Sequence, residues 1–245
     1  MKPASDDARS APVDHLRDRL RAQGVDLDVG TLASLVALID RLLAQKQNLT
    51  AITDPIDALD RHLVDSLVAL SLEEVREADT IVDIGSGGGF PGLPLAAVLT
   101  SATVTLVESE KKKAAWLMRC VADFPNLRVV ADRSEQLAQN HREEWRLACV
   151  RAVAAPAVAL ELAAPLVVLG GTAVLWRSAD ADPTLDAHAL AAARILGFQR
   201  QEPLGVEPFP GARRMLDRYR KVAPTPERFP RRPGRAAKRP LGVDR

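Results

Sequence analysis

From residue 80 onward, the sequence alternates short apolar segments with longer segments of helical periodicity. Five apolar segments rich in Val, Leu, Ile and Thr are predicted strands: Thr80–Ile84, Val104–Glu108, Leu127–Val130, Leu147–Val150 and Thr172–Trp176. Helices are predicted at 92–99, 111–123, 135–143, 156–165 and 185–196, and a late strand at 213–222. This alternation predicts an α/β fold, a doubly wound and mostly parallel sheet with helices on both faces. Ligands of such sheets bind beyond the carboxyl ends of the strands, so functional residues are expected directly after them.

The residues before this sheet have a different character. Apolar residues recur there at spacings of three and four, most clearly from 32 to 43 and again from 59 to 70, behind Pro55. These patterns predict helices rather than strands. The expected organisation is a disordered segment at 1–12, an N-terminal helical extension at 13–75, the sheet domain at 76–222 and a basic, proline-rich C-terminal arm at 223–245.

Charge is distributed unevenly along the chain. The net charge is +1, yet residues 213–245 contain twelve Lys or Arg residues and only three acidic ones. A basic tail on an acidic body favours a polyanionic partner, although many charged tails only keep a chain end solvated.

Membrane and metal-binding classes find little support in the sequence. The longest uncharged apolar run, 162–176, is shorter than the roughly 20 residues of a membrane-spanning helix. Pro165 and Gly170-Gly171 interrupt this run and favour a helix, a turn and a strand. The two cysteines have no CxxC spacing. With a polar N-terminus, this predicts a cytoplasmic protein with no membrane or metal partner.

The most informative motif is the glycine-rich stretch 83–90, DIGSGGGF, directly after the first predicted strand. Its glycines, among them Gly85 and Gly87, let the backbone turn sharply and let a ligand approach closely. A dinucleotide-binding loop needs glycine where this chain has Phe90. Asp83 would repel a pyrophosphate but attract a ligand ammonium, so the loop favours S-adenosylmethionine over a dinucleotide. The alternative role for Asp83 is a helix cap.

Three further polar positions follow predicted strands. Glu108 ends the second strand, where an acid can accept both hydroxyls of a ribose. Ser134 and Glu135 follow the third strand, where such folds place an adenine. Arg151 follows the fourth strand and is either a structural ion-pair partner or a contact to cofactor or substrate.

Several motifs together resemble one family, the bacterial 16S ribosomal RNA guanine-N7 methyltransferases, also called glucose-inhibited division protein B. The loop DIGSGGGFPGLPLA is the most diagnostic, because Phe-Pro-Gly after the glycines is unusual among methyltransferases. The other matching segments are NLTAI at 48–52, RHxxDS at 61–66, Glu108-Ser109 with Lys111-Lys112, Arg133-x-Glu135, Arg151 to Ala154, and Arg220 through 242.

This resemblance implies a Rossmann-like class I fold that uses S-adenosylmethionine to methylate N7 of a guanine in 16S rRNA, within the small ribosomal subunit or its precursor. Carried over by position, the cofactor contacts are Gly85, Phe90, Ser134, Glu135 and Arg151, to which the loop argument adds Asp83, Gly87 and Glu108. The expected RNA contacts lie in the arm: Arg228, Arg231, Arg232, Arg235, Lys238 and Arg239.

The implied chemistry requires no general base, because guanine N7 is a lone pair without a proton. The weak candidates for a direct role are Arg177, where the family usually has Lys, and Asp65 or Asn48, which could orient the guanine. His62, three residues before Asp65, is expected to be a hydrogen-bonded brace.

Two other functions are compatible with the same fold. The first is a class I methyltransferase that acts on a different substrate, which would not need the basic arm. The second is a non-catalytic rRNA-binding assembly factor, which would not bind the cofactor.

Overall fold

The structure, a computed structural model, describes residues 6–45, 49–180 and 182–243. An eight-stranded sheet forms its centre, with the strand order β3-β2-β1-β4-β5-β8-β6 and with β7 paired to β8. The first five strands are mutually parallel, whereas β8 is antiparallel to β5, β6 and β7. The strands are β1 (Thr80–Ile84), β2 (Thr103–Val107), β3 (Leu127–Val130), β4 (Trp145–Arg151), β5 (Val167–Ser178), β6 (Phe198–Arg200), β7 (Leu204–Val206) and β8 (Arg214–Lys221).

This arrangement confirms the predicted α/β class and the position of every predicted strand. The central strands are apolar on both faces, as a sheet covered on both sides requires. The order reverses between β1 and β4, which lie side by side. That reversal point is where a doubly wound sheet binds its ligands, so it fixes the edge at which a site is expected.

Helices cover both faces of the sheet. The N-terminal extension packs with α6 and α7 against one face, and α8, α9 and α10 pack against the other. The helices are α1 (Asp6–Ala22), α2 (Val29–Leu43), α3 (Pro55–Ala58), α4 (Asp65–Leu67), α5 (Glu73–Arg76), α6 (Gly92–Val98), α7 (Lys111–Cys120), α8 (Ser134–Asn140), α9 (Pro156–Ala163), α10 (Pro183–Leu196) and α11 (Arg235–Lys238). A π-helical segment, Leu59–Val64, joins α3 to α4.

The structure departs from the sequence prediction in three places. Helix α1 begins at Asp6, within the segment predicted to be disordered, and continues through Pro12. Strand β5 begins at Val167 and runs through Gly170-Gly171, where a turn was expected. It does so through a bulge, since its register against β4 shifts between Trp145 and Leu147 and Gly170 adopts a φ of 80°. The short strands β6 and β7 were not predicted.

The C-terminal segment is docked onto the domain instead of extending as an arm. Arg231 forms a two-pronged ion pair with Glu161 of α9, with Nε 2.6 Å from Oε1. Arg142 donates to the carbonyls of Thr225 and Phe229. The backbone N–H of Gly234 donates to the Glu135 carboxylate, 3.0 Å away. These contacts hold residues 225–234 along α8 and α9.

Within the described residues, no helix is both long and apolar enough to cross a membrane. The described residues also hold no group of three His, Cys, Asp or Glu side chains placed to bind a metal ion.

The docked segment yields a stability prediction. Arg231→Met leaves the Glu161 carboxylate, 2% exposed, without its cation. Removing one partner of a buried pair is strongly destabilising, and with Arg231 itself 23% exposed we expect a loss of about 2–3 kcal/mol in unfolding free energy.

Chemical denaturation measures this loss, and Arg232→Met is the matched control. Arg232 is exposed and forms no ion pair within the described residues, so its replacement should change stability by less than about 0.5 kcal/mol. Equal effects of the two variants would contradict the structural role of the Arg231–Glu161 pair.

Candidate functional site

The glycine loop lies between β1 and α6, at the strand-order reversal. It is held by the backbone N–H groups of Gly85 and Ser86, which both donate to the carbonyl of Val107 at the end of β2. Gly85 and Gly87 have φ values of 69° and 58°, in the left-handed region that favours glycine. A Cβ on Gly85 would lie 2.6 Å from a methyl of Val153, in the loop after β4. The loop therefore needs glycine for its conformation and for its contact with the neighbouring loop.

Asp83 lies behind this loop, fully buried. Its Oδ2 accepts the N–H of Gly92, the first residue of α6, at 3.0 Å. Its Oδ1 has no hydrogen-bond partner within the described residues. Burial raises the pKa of Asp83 to about 6. The geometry therefore fits the helix-cap alternative, and because Asp83 is 0% exposed it offers no surface for the direct ligand contact that the sequence predicted.

Glu108 lies beside the loop, directly after β2. Its Oε2 accepts the N–H of Gly87 at 2.8 Å, and its Oε1 accepts the N–H of Glu110 at 2.7 Å. Each carboxylate oxygen can accept a second hydrogen bond, so Glu108 can fix the loop and still bind a hydroxyl. The predicted ribose contact of Glu108 would use this remaining acceptor capacity and stays a prediction.

Ser134 and Glu135 begin α8, after β3, and both are buried. The Glu135 carboxylate points to the docked C-terminal segment, where it accepts from Gly234. Glu135 was predicted to contact the cofactor, and the structure shows its carboxylate engaged by the C-terminal segment, so any cofactor contact at this position is assigned to its backbone. The side chain of Glu135 is a tether for the C-terminal segment.

Phe90 brings three elements together at the end of the loop. Its ring stacks on the ring of His62, with centroids 4.4 Å apart. The Arg151 guanidinium also lies over the Phe90 ring, 5.7 Å from its centroid. Arg151 also donates to Asp65, at 2.9 Å. The predicted cofactor residues Phe90 and Arg151 are thus adjacent, and the helical extension supplies one wall of the site.

His62 lies in the π-helical segment and has the environment of a neutral brace. Its Nε2 is 2.8 Å from the Thr50 hydroxyl. Burial, followed by the charge of Arg151, lowers the pKa of His62 to about 4. The imidazole is therefore uncharged at neutral pH.

The two weak candidates for a direct role are both engaged in ion pairs. Arg177 donates to Asp186 and to the fully buried Asp217. Arg200 contacts the same two carboxylates, which closes a four-membered network. Arg177 uses the same nitrogen, Nη1, for both carboxylates, so the residue at the position of the family's usual Lys is part of an ion-pair network rather than a free cation.

Asp65 holds two arginines at once. Its Oδ2 accepts from Arg151 at 2.9 Å and its Oδ1 accepts from Arg214 at 3.1 Å. Its carboxylate is therefore occupied in the orientation of arginines. Asn48, the other candidate for orienting a guanine, lies outside the described residues.

Sequence reasoning missed the arginine at the start of β8. Arg214 meets Asp65 from 149 positions away along the chain, and neither residue has a local pattern that indicates this pairing. The only available signal was its place at the beginning of a predicted late strand.

The predicted RNA contacts of the arm divide into two groups. Arg231 is paired with Glu161, so its charge is not free to bind a phosphate. The other five are exposed and form no ion pair within the described part of the chain: Arg228, Arg232, Arg235, Lys238 and Arg239.

A cleft lies over the carboxyl ends of β4 and β5. It consists of two adjoining cavities of about 210 and 380 Å³, which share Ala152, Trp176, Arg177 and Ser178. The smaller cavity is mostly apolar, with Val153 and Pro156 in its wall. The larger one also contacts His62 and Arg151, so it adjoins the glycine loop through Phe90.

Comparisons with known proteins agree with this geometry. The family model described as rRNA small subunit methyltransferase G matches residues 31–199. A protein of that name from Roseiflexus castenholzii is 41% identical over 202 residues, which cover 79% of this chain and 84% of the relative. One from Halalkalibacterium halodurans is 34% identical over 236 residues, covering 94% of this chain and 99% of the relative.

Solved structures share the fold at low sequence identity. Fibrillarin from Aeropyrum pernix, in complex with S-adenosyl-L-methionine, superposes with a TM-score of 0.53 at 15% identity, over 66% of this chain and 75% of that one. A 16S rRNA (adenine(1408)-N(1))-methyltransferase from Catenulisporales acidiphilia gives a TM-score of 0.51 at 16% identity, over 62% of this chain and 88% of that one. The fold is thus that of class I methyltransferases.

The buried carboxyl group of Asp83 yields a prediction about pH. Burial raises its pKa from 3.8 to about 6, so its ionisation destabilises the folded state increasingly as the pH rises from about 4 to about 6. Asp83→Asn retains an oxygen that can accept from Gly92 and loses the charge. We expect this variant to be more stable than the wild type by up to about 3 kcal/mol at about pH 7.5, and by about half as much at about pH 5.

Thermal melting of the wild type and of Asp83→Asn across this pH range measures the difference in stability. Asp79→Asn, the same substitution at an exposed position directly before β1, is the control. A constant stability difference between wild type and Asp83→Asn at all pH values would rule out a buried, ionising Asp83.

Proposed function

The chain belongs to the rRNA small subunit methyltransferase G family, and from this premise we propose that it transfers a methyl group from S-adenosylmethionine to N7 of a guanine in 16S rRNA. The observation that carries the proposal is the family match over 31–199, a range that contains the glycine loop, Glu108, Ser134, Glu135 and Arg151. We place the reaction in the cytoplasm, on the small ribosomal subunit or its precursor.

The residues at the reversal point fit S-adenosylmethionine chemically. Gly87 leaves open space above the loop, since among the described residues an added Cβ would have only the Gly85 carbonyl oxygen, 3.9 Å away, within 4 Å. Glu108 has acceptor capacity for ribose hydroxyls beside that space. The unpaired Oδ1 of Asp83 adds negative potential behind the loop that favours a cationic ligand without touching it.

We assign the cofactor pocket to Gly85, Gly87 and Phe90 of the loop, Glu108 after β2, Ser134 and the Glu135 backbone after β3, and Arg151 after β4. Arg151 is held by Asp65 and by the carbonyl of Arg61, so its guanidinium keeps one orientation. A fixed cation at this point suits the carboxylate of an amino-acid group. Asp83 contributes through its charge and through its support of α6.

When bound, S-adenosylmethionine supplies a methyl group on a positively charged sulfur. The protein's own contribution is to bind and align, because guanine N7 has no proton to remove. Alignment of two reactants can lower a barrier by about 7–11 kcal/mol in favourable cases. His62, which stacks on Phe90, fits this proposal: its buried imidazole is neutral and is held by Thr50 as a brace.

The docked C-terminal segment supports an RNA substrate. It presents five exposed cations that no carboxylate within the described residues neutralises, beside the α8 end of the cofactor pocket. We assign them to phosphate contacts, and assign Arg231 to the anchor that keeps the segment in place.

The proposed activity is tested with purified protein. Incubation with 16S rRNA or small subunits and labelled S-adenosylmethionine should yield 7-methylguanosine, and rRNA from cells that lack the protein should lack one such nucleotide. Calorimetry with S-adenosylmethionine provides the control for cofactor binding. A folded protein with no affinity for the cofactor would refute the enzyme assignment, and one that binds it but methylates only another substrate would refute the RNA assignment.

The basic segment yields a separate prediction. Replacement of Arg228, Arg232, Arg235, Lys238 and Arg239 by Gln should weaken rRNA binding and lower the slope of log K against log[salt] by up to about 4, at about 0.7–0.9 per lost phosphate contact. Keeping Arg231 preserves the anchor, so the affinity for S-adenosylmethionine should not change. An unaltered salt slope would show that these cations only solvate the chain end.

A further inference from the structure

The larger cavity of the cleft is positively charged where it faces solvent. It lies between the π-helical segment Leu59–Val64, the loop after β4 and the start of β8. Its wall is formed by Arg61, His62, Asp65, Arg151, Ala152, Trp176, Arg177, Ser178 and Arg214. Trp176 closes the bottom, and its indole N–H donates to the Asp65 carbonyl at 2.8 Å. The cavity thus has an apolar base and an arginine-lined mouth.

The arginines of this wall are not equally available. Arg177 is balanced by Asp186 and Asp217. Arg151 and Arg214 share the single carboxylate of Asp65, which leaves one positive charge in excess.

Arg61 adds a further cation at the mouth. Its ion pair with Asp57 is long, at 3.6 Å, and both side chains are half exposed. Exposed pairs of this kind hold their partners weakly, so an anion can compete for Arg61. Arg214, 29% exposed, uses its Nε for Asp65, and no ion pair or hydrogen bond of its two terminal amino groups occurs within the described residues.

The cavity adjoins the methyl-donor pocket proposed above. Arg151 and Ala152 belong to its wall, and the next residue, Val153, contacts Gly85 of the loop. A ligand in the cavity therefore lies beside the glycine loop, next to β4 and β5. The cofactor residues Glu108, Ser134 and Glu135 lie on the other side of the loop, after β2 and β3. With about 380 Å³, the cavity falls in the usual range of small-molecule sites, roughly 300–1,000 Å³.

We propose that this cavity receives the acceptor nucleotide and that Arg214 and Arg61 bind its phosphate. Asp65 is then a positioning residue, which orients Arg214 toward the mouth and Arg151 toward the glycine loop. The inference rests on the proposed rRNA methylation and adds the residues that hold the nucleotide. Arginine suits this task because its planar fork binds a phosphate by two hydrogen bonds.

The experiment compares neighbouring arginines at the start of β8. Arg214→Gln should raise KM for the rRNA substrate about tenfold, as expected for the loss of a charge-assisted hydrogen bond, and lower the salt slope of binding by about 0.7–0.9. Arg213→Gln is the matched control, because Arg213 is 68% exposed and its one ion pair within the described residues is with Asp180, 66% exposed. It should leave both quantities unchanged.

Three further measurements separate binding from folding and from the general activity. Arg214→Lys, which keeps the charge, should recover part of the affinity and the whole salt slope. Arg61→Gln, at a half-exposed position, should lower the slope without a change in melting temperature. Calorimetry should give the same affinity for S-adenosylmethionine in every variant.

If Arg214→Gln and Arg61→Gln methylate rRNA with the KM and the salt slope of the wild type, the proposal is overturned. The proposed function is then unaffected. Absence of rRNA methylation by the wild type would refute the proposed function itself. If Arg213→Gln weakens rRNA binding as much as Arg214→Gln does, the effect is one of general surface charge, and the proposal is also overturned.

Discussion

The buried carboxylate of Asp65 is the point at which the helical extension and the sheet become one structure. Its two oxygens bind arginines from β4 and β8, and its backbone carbonyl accepts from the indole of Trp176 on β5. Three neighbouring strands thus converge on one residue of the extension. A buried charge is stable only when its partners stay in place, so this carboxylate restricts how the extension can sit on the sheet. The extension is therefore part of the site and not an appendage to it.

Asp83 shows a different relation between stability and function. A carboxyl group without exposed surface, one oxygen of which has no hydrogen-bond partner among the described residues, destabilises the folded state near neutral pH. Its Gly92 hydrogen bond offsets only part of this penalty, as its raised pKa indicates. An uncharged side chain of the same shape would serve α6 equally well. In the function proposed above, the charge acts through its electric field at the glycine loop, on the positively charged cofactor assigned to that loop.

The strands of the sheet could be predicted because each of them is encoded by a short local segment. Strands such as β1 and β3 are short segments rich in Val, Leu and Ile, and each lies where the pattern predicted. The candidate site residues in the loops could be predicted in the same way, because they directly follow the predicted strand ends. By contrast, the bulge at Gly170 continues a strand through residues that normally favour a turn. Only the pairing with β4 and β8 decides whether this segment forms a strand or a turn.

The ion pairs of the site could not be predicted in the same way. Arg214 meets Asp65, and Arg231 meets Glu161, across long stretches of chain that the fold alone brings together. For this reason the arm appeared as a uniform set of cations in the sequence, although one of its arginines is an internal anchor. Arg177 likewise looked like a free cation at a strand end until the fold placed Asp186 and Asp217 beside it.

The docking of residues 225–234 has a consequence for how the protein is made. Glu135 and Glu161 belong to helices that are synthesised well before their partners, Gly234 and Arg231. Domains fold from the N-terminus as synthesis proceeds, so the surface of α8 and α9 forms before residues 225–234 are available to dock on it. The Arg231–Glu161 pair is therefore a late contact of the fold, made after every strand of the sheet has been synthesised.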